Sequence, residues 1–331
     1  MKTIFLLILL SINFPVANGS MLRDTTFSET EVTLQTGNGV IYGTLTIPEK
    51  PRRMPVALII AGSGPTDRDG NNPVMKNNSL KILATGLAGR GIASLRYDKR
   101  GIAASKAAVT SEKDLRFDDY VSDAAGWIQL LKKDKRFSEV IVIGHSEGSL
   151  IGMVAGRSAD KFISVAGFGQ PADIVLKEQL GSQPKVVQDL SFPIIDSLKN
   201  GKTVDSVPPM IKSLFRPGVQ PYMISWFRFD PRIEIRKLSV PVLIIQGTND
   251  IQVGVENARQ LSDANPEAEL LLINNMNHIF RITEGDRMAN LATYSNISLP
   301  VSEELLSVDT GYILGDLPAN TSRDTHKERI N

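Results

Sequence analysis

Val140-Ile141-Val142-Ile143-Gly144-His145-Ser146-Glu147-Gly148 is the stretch whose reading decides the fold. Four β-branched residues run directly into Gly-x-Ser-x-Gly, and the small and apolar run Ser149 to Arg157 leaves it. Strand, sharp turn and helix in that order form the setting in which a serine hydroxyl is lifted out of a sheet. The turn is so tight that side chains at Gly144 and Gly148 would collide. The helix that follows aims its free N–H groups at any negative charge developing beside the serine. Ser146 is therefore the candidate nucleophile.

Outward from this stretch, strands alternate with helical patterns. Glu31–Thr36 and Val40–Ile47 flank Gly37-Asn38-Gly39, a hairpin signal. Short apolar runs of the buried parallel kind follow at Val56–Ala61, Ile92–Tyr97, Val140–Gly144, Ile163–Phe168, Val242–Gly247 and Leu270–Ile273. Between them, Tyr120 to Lys132 places Val121, Ala124, Ala125, Ile128 and Leu131 on one helical face, and Ser79 to Arg90 does the same with Leu80, Leu83 and Leu87. An antiparallel hairpin followed by βαβ units predicts an α/β fold: about eight strands in a mostly parallel sheet flanked by helices. Residues 170–230 break the rhythm. They are rich in Pro, Gln and Ser, carry Phe192, Phe215, Tyr222, Trp226, Phe227 and Phe229, and are too long for an ordinary connection. They are expected to form a mainly helical cap inserted into a core of residues 20–169 and 231–319. Residues 320–331 are expected to be a flexible tail.

A serine nucleophile needs a base, and the chain has three histidines. His145 lies inside the turn, where neighbouring side chains point apart. His326 lies in the polar tail. His278 follows the last expected strand in Asn274-Asn275-Met276-Asn277-His278, a polar loop at a strand's C-terminal end, and is the expected base. Its orienting carboxylate is expected at Asp250, just past Val242–Gly247. The order Ser, acid, His is that of hydrolase sheets. Asp230 competes for the role, but no strand leads into it.

These motifs are similar to those of the α/β-hydrolase superfamily. Gly62-Ser63-Gly64-Pro65-Thr66-Asp67-Arg68-Asp69-Gly70-Asn71 and Arg96-Tyr97-Asp98-Lys99-Arg100-Gly101 resemble its bacterial serine carboxylesterases, over roughly residues 30–290. The resemblance implies the same Ser146–Asp250–His278 triad, carboxylic ester hydrolysis and a preference for short acyl chains. Ala61-Gly62-Ser63-Gly64 occupies the place of the oxyanion loop, so the backbone N–H groups of Ser63 and Glu147 are the expected oxyanion donors.

Composition narrows the rest. Lys and Arg number 37 against 36 Asp and Glu, with no basic stripe, which excludes a nucleic-acid footprint. Residues 1–19 read as a signal peptide: Lys2, the apolar run Ile4 to Leu10, Pro15, then Ala17 and Gly19 before a cut at Ser20. The run is short for a membrane span. A secreted or periplasmic protein without a stable membrane anchor is expected. No cysteine is present, so thiolate chemistry and thiolate metal sites are excluded. Asp67-Arg68-Asp69-Gly70-Asn71 begins like a calcium loop, but Asn72 and Asn78 stand where Gly and Glu are needed. These acids are expected to brace the oxyanion loop instead. Asp98, Lys99 and Arg100 are expected to form a salt-bridge network beside the turn. The expected chemistry is acyl transfer from a small-molecule ester to water, without metal or organic cofactor. A peptidase or thioesterase on the same scaffold, or a catalytically dead binding module, are the competing readings.

Overall fold

The computed structural model describes residues 26–49 and 53–316. The expected signal segment 1–19, its cleavage point, His326 and the tail 320–331 lie outside the described residues. Eight strands form one sheet: β1 (Phe27–Thr36), β2 (Gly39–Pro48), β3 (Met54–Ile60), β4 (Ala93–Tyr97), β5 (Phe137–His145), β6 (Lys161–Val165), β7 (Val242–Gly247) and β8 (Glu269–Ile273). Their spatial order is β1-β2-β4-β3-β5-β6-β7-β8. β1 and β2 form the antiparallel hairpin, and β2 runs antiparallel to β4; the remaining pairings are parallel.

Successive strand residues face opposite sides, and the apolar runs use both. In β5, Val140 and Val142 join a cluster with Trp127, Phe162 and Leu150. Ile141 and Ile143 join the opposite cluster with Leu83, Leu87 and Leu305. A strand buried on both faces has no position for an alternating polar residue, which is why these runs read as continuous. The helices α1 (Ser79–Ala88), α2 (Phe117–Lys133) and α3 (Glu147–Ala155) connect β3 through β6. The expected sixth strand, Ile163–Phe168, stops three residues early. Ala166 adopts φ +52°, which turns the chain out of the sheet after Val165.

Between β6 and β7 lie α4 (Ala172–Gly181), α5 (Lys185–Lys199), α6 (Lys212–Phe215), α7 (Gln220–Trp226) and α8 (Pro231–Arg236). α7 seats this insertion on the N-terminal end of α2. Trp226 stacks on Phe117 with ring centroids 6.4 Å apart, and the Ser225 hydroxyl accepts from the Phe117 N–H at 2.8 Å. The chain then completes the sheet with α9 (Val255–Ala264) before β8, and closes with α10 (Arg287–Ala292) and α11 (Glu303–Leu314). Among the described residues, no helix is long and apolar enough to cross a membrane.

Candidate active site

Ser146 sits between β5 and α3 at φ +56°, ψ −122°, a strained conformation for a residue with a Cβ. The two flanking glycines make it attainable. A Cβ on Gly144 would lie 2.5 Å from the Gly148 carbonyl oxygen, and one on Gly148 would lie 2.2 Å from that of Ile60. Either contact is with rigid backbone, so neither position accepts a side chain. Ser146 is fastened by its N–H to the Val165 carbonyl at 3.0 Å.

His278 lies in the loop after β8 and Asp250 in the loop after β7. Nδ1 of His278 is 2.7 Å from Oδ2 of Asp250. That leaves Nε2 as the ring nitrogen turned away from the carboxylate. Asp250 also accepts from Gln246 Nε2 at 3.1 Å and from the backbone N–H groups of Gln252 and Val253 at 2.8 and 2.9 Å. Burial raises the pKa of this carboxyl, but the charge and hydrogen bond of His278 and the two backbone donors outweigh it, and the net shift is downward. Asp250 is held ionised and aimed at the imidazole.

His145 supports this arrangement from behind. Its ring centroid is 4.7 Å from that of His278, and its Nε2 is 2.9 Å from the His278 carbonyl oxygen. Burial, and then the nearby charge of His278, push its pKa down to about 3. A neutral His145 therefore donates from Nε2 to the His278 carbonyl and holds the backbone of the candidate base. The expectation that His145 is structural had no means of anticipating this contact across 133 residues of chain.

Gly62 and Ser63 follow β3 and face the turn. A Cβ on Gly62 would lie 3.1 Å from the Ser146 Cβ, so the loop packs directly over the serine. The backbone N–H groups of Ser63 and Glu147 have no hydrogen-bond partner among the described residues. The loop beyond is tied down by its own acids. Asp67 Oδ1 accepts from the N–H groups of Asp69 and Asn71 at 2.9 and 2.8 Å. Arg96 reaches Asp69 at 2.8 Å. The three consecutive charges after β4 each take a separate partner: Asp98 pairs with Arg68, Lys99 with Glu147, and Arg100 with Asp123.

Ser146, His278, Ser63, Asn77, Ile279 and Tyr294 line one cavity of about 100 Å³. The structure thus brings Ser146, Asp250, His278, Ser63 and Glu147 together at the C-terminal ends of β3, β5, β7 and β8. Asp230 is not among them. It caps α8, accepting from the Arg232 N–H and pairing with the Arg232 side chain. The expected link of Lys99 to the turn is present as its ion pair with Glu147, but two contributors escaped sequence reading: Gln246 behind Asp250, and Tyr222 from the insertion, whose hydroxyl donates to Glu147. Of these only Gln246 left a signal, as the one polar side chain in the run Val242–Gly247. Among the described residues, no group of three or more His, Asp or Glu is placed to hold a metal ion.

An eight-stranded, mostly parallel sheet flanked by helices also describes known structures. Est1E from Butyrivibrio proteoclasticus superimposes with a TM-score of 0.55 at 16% identity, over 86% of this chain and 98% of that one. The chain has the α/β-hydrolase fold. A 2,6-dihydroxy-pseudo-oxynicotine hydrolase shares it, with a TM-score of 0.54 at 15% identity over 87% of this chain and 69% of that one. Residues 77–189 match the family model described as serine aminopeptidase, S33. Esterase EstD of Thermotoga maritima is 30% identical over 273 residues, 78% of this chain; the chain spans 61% of that relative's length.

Proposed function

We propose that the chain is an exported serine hydrolase that cleaves small carboxylic esters with short acyl groups. The observation that carries this reading is the 2.7 Å contact between His278 Nδ1 and an ionised Asp250, with His278 and Ser146 lining one cavity. In this reading His278 Nε2 takes the Ser146 hydroxyl proton as Oγ attacks the ester carbonyl. The carbonyl oxygen becomes an oxyanion that accepts from the Ser63 and Glu147 N–H groups. Imidazolium then protonates the departing alkoxide as its C–O bond breaks. A water, deprotonated by the same nitrogen, hydrolyses the acyl-enzyme and restores the serine.

Similarity to Esterase EstD supports ester hydrolysis, and a cavity of about 100 Å³ suits a small acyl group. The match to a serine aminopeptidase model over residues 77–189 favours a second reading, removal of N-terminal residues from peptides. An aminopeptidase must hold an α-ammonium group, normally with a carboxylate. The described residues lining the cavity beside Ser146 include no Asp or Glu, which favours the ester.

The test is hydrolysis of p-nitrophenyl acetate, butyrate and octanoate, and of an aminoacyl p-nitroanilide, by protein recovered from the extracytoplasmic fraction. N-terminal sequencing of that protein is expected to begin at Ser20. Turnover is expected to fall with acyl length, to be absent on the anilide, and to drop by about 10⁵- to 10⁶-fold in Ser146→Ala. Turnover surviving in that variant would remove Ser146 as nucleophile, and anilide cleavage without ester cleavage would move the assignment to the peptidase. Protein retained in the cytoplasm with Met1 intact would remove export.

A further inference from the structure

Lys99 is almost fully buried, and its ammonium group has three neighbours. Nζ donates to the Gly62 carbonyl oxygen at 2.6 Å and to Glu147 Oε2 at 2.9 Å, and it lies 4.9 Å from the centroid of the Tyr120 ring. The Tyr222 hydroxyl donates to the other oxygen of Glu147. Burial, and then the Glu147 charge, hold the Tyr222 phenol far above its ordinary pKa, so it remains a donor.

The identity of these acceptors matters. The Gly62 carbonyl belongs to the same planar peptide unit as the Ser63 N–H. A trans peptide sets its C=O and N–H in opposite directions, so a cation that fixes the oxygen fixes the hydrogen. The same cation polarises the unit and strengthens the N–H as a donor. Glu147 is the residue whose own N–H opens α3 beside Ser146. One ammonium group therefore joins the Gly62–Ser63 loop to the start of α3, the two segments that carry the expected oxyanion donors. A buried ion pair is no stability device in itself, since a well-packed apolar pair commonly does as well. The contact to the Gly62 carbonyl is one that no ion pair requires.

We propose that Lys99 is the positioning residue of the oxyanion site, holding the Ser63 and Glu147 N–H groups in register through the Gly62 carbonyl and the Glu147 carboxylate. The proposal rests on the ester-hydrolase reading. It assigns Lys99 an effect on kcat with little effect on KM, because the register matters only once the carbonyl oxygen has become an anion. Tyr222 extends the chain of contacts, so the insertion between β6 and β7 touches the same site through Glu147.

Lys99→Met alone leaves Glu147 buried and unpaired, and loss of folding there would say nothing about the site. The informative variant is the double Lys99→Met/Glu147→Gln, which removes both charges and keeps both backbone N–H groups. Three quantities are read against wild type: the thermal midpoint, kcat and KM for p-nitrophenyl acetate, and Ki for a methyl trifluoromethyl ketone, whose adduct with Ser146 carries an oxyanion. The double variant is expected to melt close to wild type. Its kcat should be about 10- to 100-fold lower, a fraction of the 10²- to 10³-fold cost of losing one donor outright. KM should stay within threefold and Ki should rise by the same factor as kcat falls. A double variant with wild-type kcat and Ki overturns the proposal, as does one that does not fold, which would make the pair structural. Wild-type turnover that vanishes in Ser146→Ala establishes the underlying reading separately. Its absence would overturn both, whereas a normal double variant overturns only the role of Lys99.

Discussion

The carboxyl groups of Asp250 and Asp309 are both buried and could hardly be more different. Asp250, in the loop after β7, accepts from His278, Gln246 and two backbone N–H groups, and its pKa is lowered. Asp309, within α11 on the opposite face of the sheet, has no hydrogen-bond partner for either oxygen among the described residues. Burial alone pushes its pKa up to about 8. A search for strongly perturbed carboxyls would choose Asp309. The chemistry points to Asp250, because a site needs donors that hold a charge in a useful direction, and burial supplies none.

Substituting the first aspartate should have the largest effect. Asp250→Asn keeps the size of the side chain but removes the acceptor that fixes the His278 tautomer. Loss of kcat by about 10⁴-fold is expected, with a thermal midpoint within a few degrees of wild type. The readout is ester turnover beside a melting curve. A loss below tenfold would show that Asp250 braces the loop through Gln252 and Val253 without orienting the base.

Asp309→Asn should act in the other direction and on stability alone. In the unfolded chain this carboxyl gives up its proton near 3.8, while in the folded chain it keeps it to about 8. Between these values the unfolded state binds fewer protons, so stability falls as pH rises, by about 1.4 kcal/mol per unit at most. The amide cannot ionise. Asp309→Asn is therefore expected to gain a few kcal/mol at pH 8 and almost nothing at pH 4, with unchanged kcat. Urea denaturation at the two pH values measures it. A gain that does not shrink toward acid pH would show that the carboxyl is already ionised in the folded protein.

The same contrast separates what the sequence revealed from what it hid. All eight strands were visible: the central ones because burial on both faces forces continuous apolar runs such as Val140–Ile143 and Val242–Ile245, and the largely exposed β1 with β2 because they flank the hairpin signal Gly37-Asn38-Gly39. The turn at Ser146 was visible because its two glycines answer to backbone contacts at 2.5 and 2.2 Å that no other residue survives. The contact between His278 and Asp250 could be anticipated, the histidine by elimination among three and the aspartate by chain order. The contacts that organise these groups were not legible. His145 meets the His278 carbonyl, Tyr222 meets Glu147 and Lys99 meets Gly62, and the partners are separated by 133, 75 and 37 residues. No local spacing encodes such distances. The early end of β6 was hidden for a different reason: Ala166 adopts a left-handed conformation that an alanine does not advertise.

Asp230 completes the series of aspartates with the smallest expected effect. Sequence alone left it as a competitor of Asp250, since both precede His278 and follow Ser146. The structure places it at the start of α8, where it accepts from the Arg232 N–H at 3.0 Å and pairs with the Arg232 side chain at 2.7 Å. This is a helix cap, a role that depends on a local N–H and on no distant histidine. Burial raises its pKa, but the hydrogen bonds and charge of Arg232 outweigh that and draw it down, so the cap is ionised at neutral pH. Asp230→Ala is expected to lower stability by about 1 kcal/mol and to leave kcat within twofold of wild type. The loss should be present at neutral pH and fade below pH 4 as the wild-type carboxyl is protonated. A kcat that collapsed with Asp230, and not with Asp250, would reverse their assignments and with them the distinction between a carboxylate that orients a base and one that ends a helix.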